Sequence, residues 1–173
     1  IMNKKKIFIA VDTNKVSQAK KIINDTQTNK IKVGYKFGLE FFYSKDGRKF
    51  ISNLRNQIIF LDLKLNDIPN TVNSAMRSLK NLKIAYLTVH LSSGLSALQA
   101  LKKASKSIKI AGVTTLTSLN DKDLKEIGYN KKVNDLVKHQ AKLATKAKLD
   151  AIVCSGHEIR SVKRVFKKEI ITP

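Results

Sequence analysis

The chain has 173 residues, 42% of them hydrophobic, and a formal net charge of +21. That length supports one core and disfavours a second domain, so residues 1–173 are expected to form a single domain. No stretch approaches the ~20 apolar residues of a membrane span, and the lone Cys154 excludes an internal disulfide framework and suits a reducing cytoplasm.

The N-terminal "IMNKKKIFIAVD" has a basic start, but its apolar run, Ile7 to Val11, is too short for a signal-peptide core. Ile1 ahead of Met2 reads as foreign to the natural start. Residues 7–12 are expected to form a strand. Residues 15–26 predict a helix, with Val16, Ala19, Ile22 and Ile23 on one face. Residues 31–35 predict a short strand. Residues 39–55 carry one or two helical pieces broken at Asp46-Gly47. A strand follows at 58–64. A helix is expected over 71–82, capped by Asn70 or Thr71, with Pro69 just before it.

The alternation continues with a strand at 85–91, a helix at 96–105 and a strand at 108–116. A short helix at 121–128 is closed by Gly128. A longer helix spans 133–147, and a strand 150–155. A helix over 155–166 opens on a capping box, Ser155 with Glu158. A seventh strand spans 169–173.

Seven strands alternating with helices predict an α/β fold with a parallel sheet covered by helices. The strands are continuous apolar runs, as expected when both faces are buried. A doubly wound sheet and a (β/α)8 TIM barrel both fit that pattern. Asp12, Asp62 with Lys64, His90, residues 115–118 and Ser155 all fall at C-terminal strand ends, which favours the barrel. No Gly-rich phosphate loop of the GxGxxG or GxxxxGK type occurs. A barrel needs about 200–250 residues and eight strands. The chain is therefore expected to be an incomplete barrel, lacking the eighth strand and its flanking helices.

The charge is spread along the chain. Arginine is confined to Arg48, Arg55, Arg77, Arg160 and Arg164, and tryptophan is absent. Solvated surface lysines therefore explain the charge better than a nucleic-acid-reading surface. A basic nucleic-acid-binding protein remains the alternative from another class, with a steeply salt-dependent affinity.

The densest chemistry lies in "FLDLKLNDIPNT", residues 60–71. Residues i and i+2 of a strand share a face, so Asp62 and Lys64 are expected to project together, with Asp67 in the loop beyond. An ordinary rim ion pair would produce the same D-x-K pattern. Lys32 should face away from Ile31 and Val33, toward the barrel interior, where a lysine needs a partner such as Asp62 or Asp67. His90 reads as a satisfied core histidine, His139 as solvated and His157 as local. Three scattered histidines do not suggest a metal site. Cys154 reads as buried and inert.

The run Asp62, Lys64, Asp67, Ile68, Pro69, Asn70, Thr71 resembles the D-x-K-x-x-D-I-P-N-T signature of the orotidine 5'-phosphate decarboxylases. "IAVD" at Asp12, "IKVG" at Lys32, "TVHLSSG" at His90, "VTTLTS" at Thr117, "VCSGHE" at Ser155 and the final "ITP" agree in order and spacing. The resemblance covers essentially the whole chain. It implies conversion of orotidine monophosphate to uridine monophosphate without metal or cofactor. Lys64 would protonate the pyrimidine carbon, Asp62 would face the substrate carboxylate, and Lys32 would contact the acids and the ribose. Asp67 and Thr71 would enter the neighbouring site of a homodimer. Asp12 would bind the ribose, and Thr117 the pyrimidine ring. The family's phosphate-gripping G-I-R run would begin at residue 174, so a chain ending at Pro173 is expected to bind the phosphate weakly and have little activity. A related phosphosugar decarboxylase or synthase would need a metal-binding acid near the second strand end, where Glu40 is the only acid.

Overall fold

A computed structural model describes residues 6–173, so Ile1 and Met2, read above as bearing on the natural start, lie outside the described residues. The strands are β1 (Lys6–Ala10), β2 (Lys32–Phe37), β3 (Ile58–Leu65), β4 (Tyr86–His90), β5 (Lys109–Val113), β6 (Ala151–Val153) and β7 (Glu169–Ile171). The helices are α1 (Val16–Asp25), α2 (Leu39–Tyr43), α3 (Gly47–Asn53), α4 (Pro69–Ser78), α5 (Leu95–Ala104), α6 (Asp121–Glu126), α7 (Val133–Lys146) and α8 (Ile159–Val165). Strand order in the hydrogen-bonded sheet follows sequence order, β1 through β7. Pairing is parallel from β1 to β3 and from β5 to β7. Each of these pairs is bridged by a helix, as parallel neighbours require.

The chain packs as two compact units. The first takes the described residues up to Leu63 together with Ser78–Leu87. Its core is aromatic. Phe8 meets Phe60 and Tyr86 edge-on, with centroids 5.0 and 5.2 Å apart. Gly34, opposite Phe8 in the register, makes room for this cluster, because a Cβ there would lie 2.7 Å from the Phe8 ring. The buried Tyr35 donates its hydroxyl to the carbonyl of Ile23 at 3.1 Å, which ties β2 to the end of α1. Lys6 donates to the Tyr86 hydroxyl at 2.7 Å.

The second unit comprises Lys64–Arg77 and Thr88–Pro173. Leu91, Leu98, Leu101, Ile110, Val137, Ala141 and Ile152 are fully buried or nearly so. Asp150 precedes β6 and accepts from Lys102 Nζ at 2.8 and 2.7 Å and from the Ile110 amide at 2.9 Å. That network ties α5, β5 and β6 together through a half-buried carboxylate that accepts three hydrogen bonds.

Helix α4 begins at Pro69, ahead of the expected cap at Asn70 or Thr71, and ends at Ser78 rather than residue 82. Proline suits a first helical position because it has no amide hydrogen to satisfy and its φ is already helical. The Ser155–Glu158 capping box is present, but it opens a 3-10 turn at Gly156–Glu158, and α8 starts only at Ile159. Helix α6 has a capping box of its own, between Asn120 and Asp123. Gly128, expected to close α6, has φ 91°. Among the described residues, no helix is long and apolar enough to cross a membrane.

Candidate active site

In the first unit, three charged side chains meet at the C-terminal ends of β1, β2 and β3. Lys36 Nζ lies 3.5 Å from Asp62 Oδ2 and 4.0 Å from Asp12 Oδ1. The Asp62 side chain is 12% exposed and that of Lys36 28%, whereas that of Asp12 is 72% exposed. The register explains the grouping. Lys36 pairs with Ala10 and Phe60, so it stands beside the strand ends from which Asp12 and Asp62 emerge.

This geometry corrects the expectation for Lys32. Lys32 is the first residue of β2, pairs with Lys6 at the start of β1, and is exposed. Lys36 is four residues on and falls on the same face of the strand. The error was in the end of the strand. The signal was available as a second Lys-x-Gly, Lys36-Phe37-Gly38, nearer the C-terminal end.

The second unit carries the remaining candidates. Lys64 follows Asp62 two residues on along β3, but its φ is 47°. The alternation of faces presumes extended backbone, so it does not set the direction of the Lys64 side chain as expected. The Lys64 amide donates to Thr88 Oγ1 at 2.8 Å. Asp67 is exposed, and its Oδ1 accepts from the Ile68 amide at 2.7 Å. Residues 66–69 and 92–97 line a shallow, open hollow of about 550 Å³. Ser93 closes part of it by donating to Asn66 Oδ1 at 2.9 Å. Thr71 is exposed in the first turn of α4, and Thr117 is exposed in a turn after β5. Neither lines the hollow.

His90 is half-buried at the end of β4, and His139 and His157 are exposed. Cys154 is buried at 2% exposure. Burial, and next the charge of Glu158, pushes its thiol up from 9.0 to about 11, so it stays protonated at neutral pH. No group of three or more His, Cys, Asp or Glu side chains capable of holding a metal ion occurs among the described residues.

Alternating strands and helices in sequential parallel order, with an ammonium bridging carboxylates at strand ends, define an α/β protein of the (β/α)8 TIM-barrel class. Residues 5–173 match the orotidine 5'-phosphate decarboxylase / HUMPS family. The orotidine 5'-phosphate decarboxylase of Erythrobacter litoralis is 39% identical over 168 residues, covering 94% of this chain and 72% of that protein. That of Carboxydothermus hydrogenoformans is 34% identical over 177 residues, covering 96% and 72%. The crystal structure of the Lactobacillus acidophilus orotidine 5'-phosphate decarboxylase superposes with TM-score 0.81 at 27% identity, covering 97% of this chain and 79% of that one. The chain belongs to the orotidine 5'-phosphate decarboxylase / HUMPS family.

Proposed function

We propose that the protein decarboxylates orotidine 5'-phosphate to uridine 5'-phosphate, the last step of de novo pyrimidine nucleotide synthesis, in the cytoplasm. The observation that carries this reading is the family match over residues 5–173, which includes the unbroken motif from Asp62 to Thr71. Two acids and a lysine alternate there within six residues, and Lys36 adds a second cation 3.5 Å from Asp62.

The chemistry needs that alternation. The bond between the pyrimidine ring carbon and the carboxyl carbon breaks, and carbon dioxide leaves neutral. The electron pair stays on the ring carbon and is quenched by a proton from the Lys64 ammonium. Asp62 faces the substrate carboxylate. Two carboxylates about 4 Å apart repel by about 4 kcal/mol at an effective dielectric near 20. That repulsion fades as the carboxylate becomes carbon dioxide, so it acts on the barrier rather than on binding alone. Stabilisation of the growing carbanion by Lys64 is the larger effect, because a fixed cation placed where charge develops needs no reorganisation. The scheme needs neither metal nor cofactor.

Lys36 takes the role first given to Lys32, holding Asp62 and Asp12 in place. Asp12 binds the ribose and Thr117 the pyrimidine. Asp67 and Thr71 reach the neighbouring site of a homodimer. The 65% exposure of apolar Ile68, beside Asp67, supports a second copy covering this loop.

The test is the loss of orotidine 5'-phosphate absorbance on mixing with the full-length protein. Lys64→Ala should lower the rate at least ~10³-fold, within the range of a lost general acid. Failure of the full-length protein to consume the nucleotide would remove the reading. Activity retained by Lys64→Ala would remove the role of Lys64.

A further inference from the structure

The backbone of Lys64 is left-handed, with φ 47°. A residue with a Cβ rarely adopts that conformation, least of all inside a strand. It persists only where the surroundings over-determine it, and such positions gather at functional sites. Here the surroundings include a specific partner. The Lys64 amide donates to Thr88 Oγ1 at 2.8 Å.

Thr88 lies on β4 and is 0% exposed. Tyr86, two residues back on the same face of the strand, is also buried. A hydroxyl is a costly choice in such a place unless a hydrogen bond uses it. Threonine and valine have nearly the same shape. What threonine adds at position 88 is the acceptor that captures the Lys64 amide.

We propose that Thr88 is a positioning residue whose hydroxyl holds the left-handed backbone of Lys64 and so sets where the Lys64 ammonium points. The inference rests on the reading of Lys64 as proton donor. Thr88 touches no reacting atom in this account. It acts through the main chain of its neighbour, and a displacement of about 1 Å at a reacting group is enough to cost ~10²-fold in rate.

The experiment compares Thr88→Val, which keeps the shape and removes the acceptor, with Thr88→Ser, which keeps the acceptor. Decarboxylation is followed well below the melting temperature of each variant. Thr88→Val should lower kcat roughly 10- to 100-fold, with KM changed by less than about twofold. Thr88→Ser should stay within about threefold of the unmodified protein. A merely structural role would lower the melting temperature of Thr88→Val and leave its kcat unchanged, and that result overturns the proposal.

Hydrogen exchange at the Lys64 amide supplies a readout that needs no substrate. The amide should exchange slowly in the unmodified protein and in Thr88→Ser. Exchange as fast as that of an unprotected amide overturns the proposal even if Thr88→Val does not fold. An inactive full-length protein removes the proton-donor reading and this inference with it. An active protein whose Thr88→Val variant keeps its kcat removes this inference alone.

Discussion

Replacing Lys36 by methionine deletes the ammonium and keeps most of the aliphatic stem, so it isolates the charge at the end of β2. At an effective dielectric near 20, a unit pair at 3.5 Å attracts by about 5 kcal/mol, and one at 4.0 Å by about 4 kcal/mol. Both figures are gross, because ammonium and carboxylate lose hydration in meeting. The Asp12 side chain is 72% exposed, so its share is screened to at most about 1 kcal/mol. The Asp62 side chain is 12% exposed, and loss of a neighbouring cation leaves a poorly hydrated anion behind. With Lys36 itself partly exposed, the net loss should be about 2 kcal/mol, or roughly 4–8 °C in melting temperature for a domain of this size. Activity should fall at least ~10²-fold, because the orientation of Asp62 goes with the cation. The assay is thermal melting at low and high salt, with orotidine 5'-phosphate consumption measured in parallel. Lys32→Met is the control and should stay within about 0.5 kcal/mol and twofold in rate, as an exposed surface change does. If Lys32→Met costs as much as Lys36→Met, or if Lys36→Met is silent in both measurements, the grouping around Lys36 has been misassigned.

Three further outcomes concern the scaffold. Burial, and less so the charge of Glu158, lifts the Cys154 thiol from 9.0 to about 11. Below pH 9 the thiol is protonated in both folded and unfolded chains, and its contribution to stability is complete. Between pH 9 and 11 only the unfolded thiol ionises, so stability falls by about 1–3 kcal/mol. Denaturant melts of the protein and of Cys154→Ala across that window should converge as pH rises, and parallel curves would refute the shift. Lys148 has φ 58° after α7, and the Lys148 and Leu149 amides donate to the carbonyls of Thr145 and Ala144 in a Schellman arrangement. Lys148→Gly should therefore raise stability by about 1 kcal/mol, measured by urea denaturation, and a loss would contradict the strain argument. Gly47 starts α3 so close to the Phe41 carbonyl that a Cβ would collide with backbone. Gly47→Ala should cost at least ~2 kcal/mol, read as a lower denaturation midpoint, and an unchanged midpoint would show that α2 and α3 can separate freely.

Local patterns carried most of the architecture. The apolar runs at 58–64 and 108–116 and the helical spacing of Val16, Ala19 and Ile23 depend on residues adjacent in sequence, and the elements fall close to where those patterns put them. The motif from Asp62 to Thr71 was legible for the same reason, as its residue types and spacing lie within one short segment. Two lysines of equal parity, each opening a Lys-x-Gly, occupy β2, and the pairing of Ala10 with Lys36 decides which one stands at the acid-bearing end. Pro69, expected just before the helix, is instead the first residue of α4.

Residue order along the chain thus dictated which segments become strands and helices, and which side chains could do acid–base work. The meeting of Lys36 with Asp12 and Asp62, and the turn of Lys64 onto Thr88, join residues 24 or more apart. Such contacts depend on strand register and on a single backbone angle, quantities set by packing across the sheet, which hydrophobic periodicity does not encode.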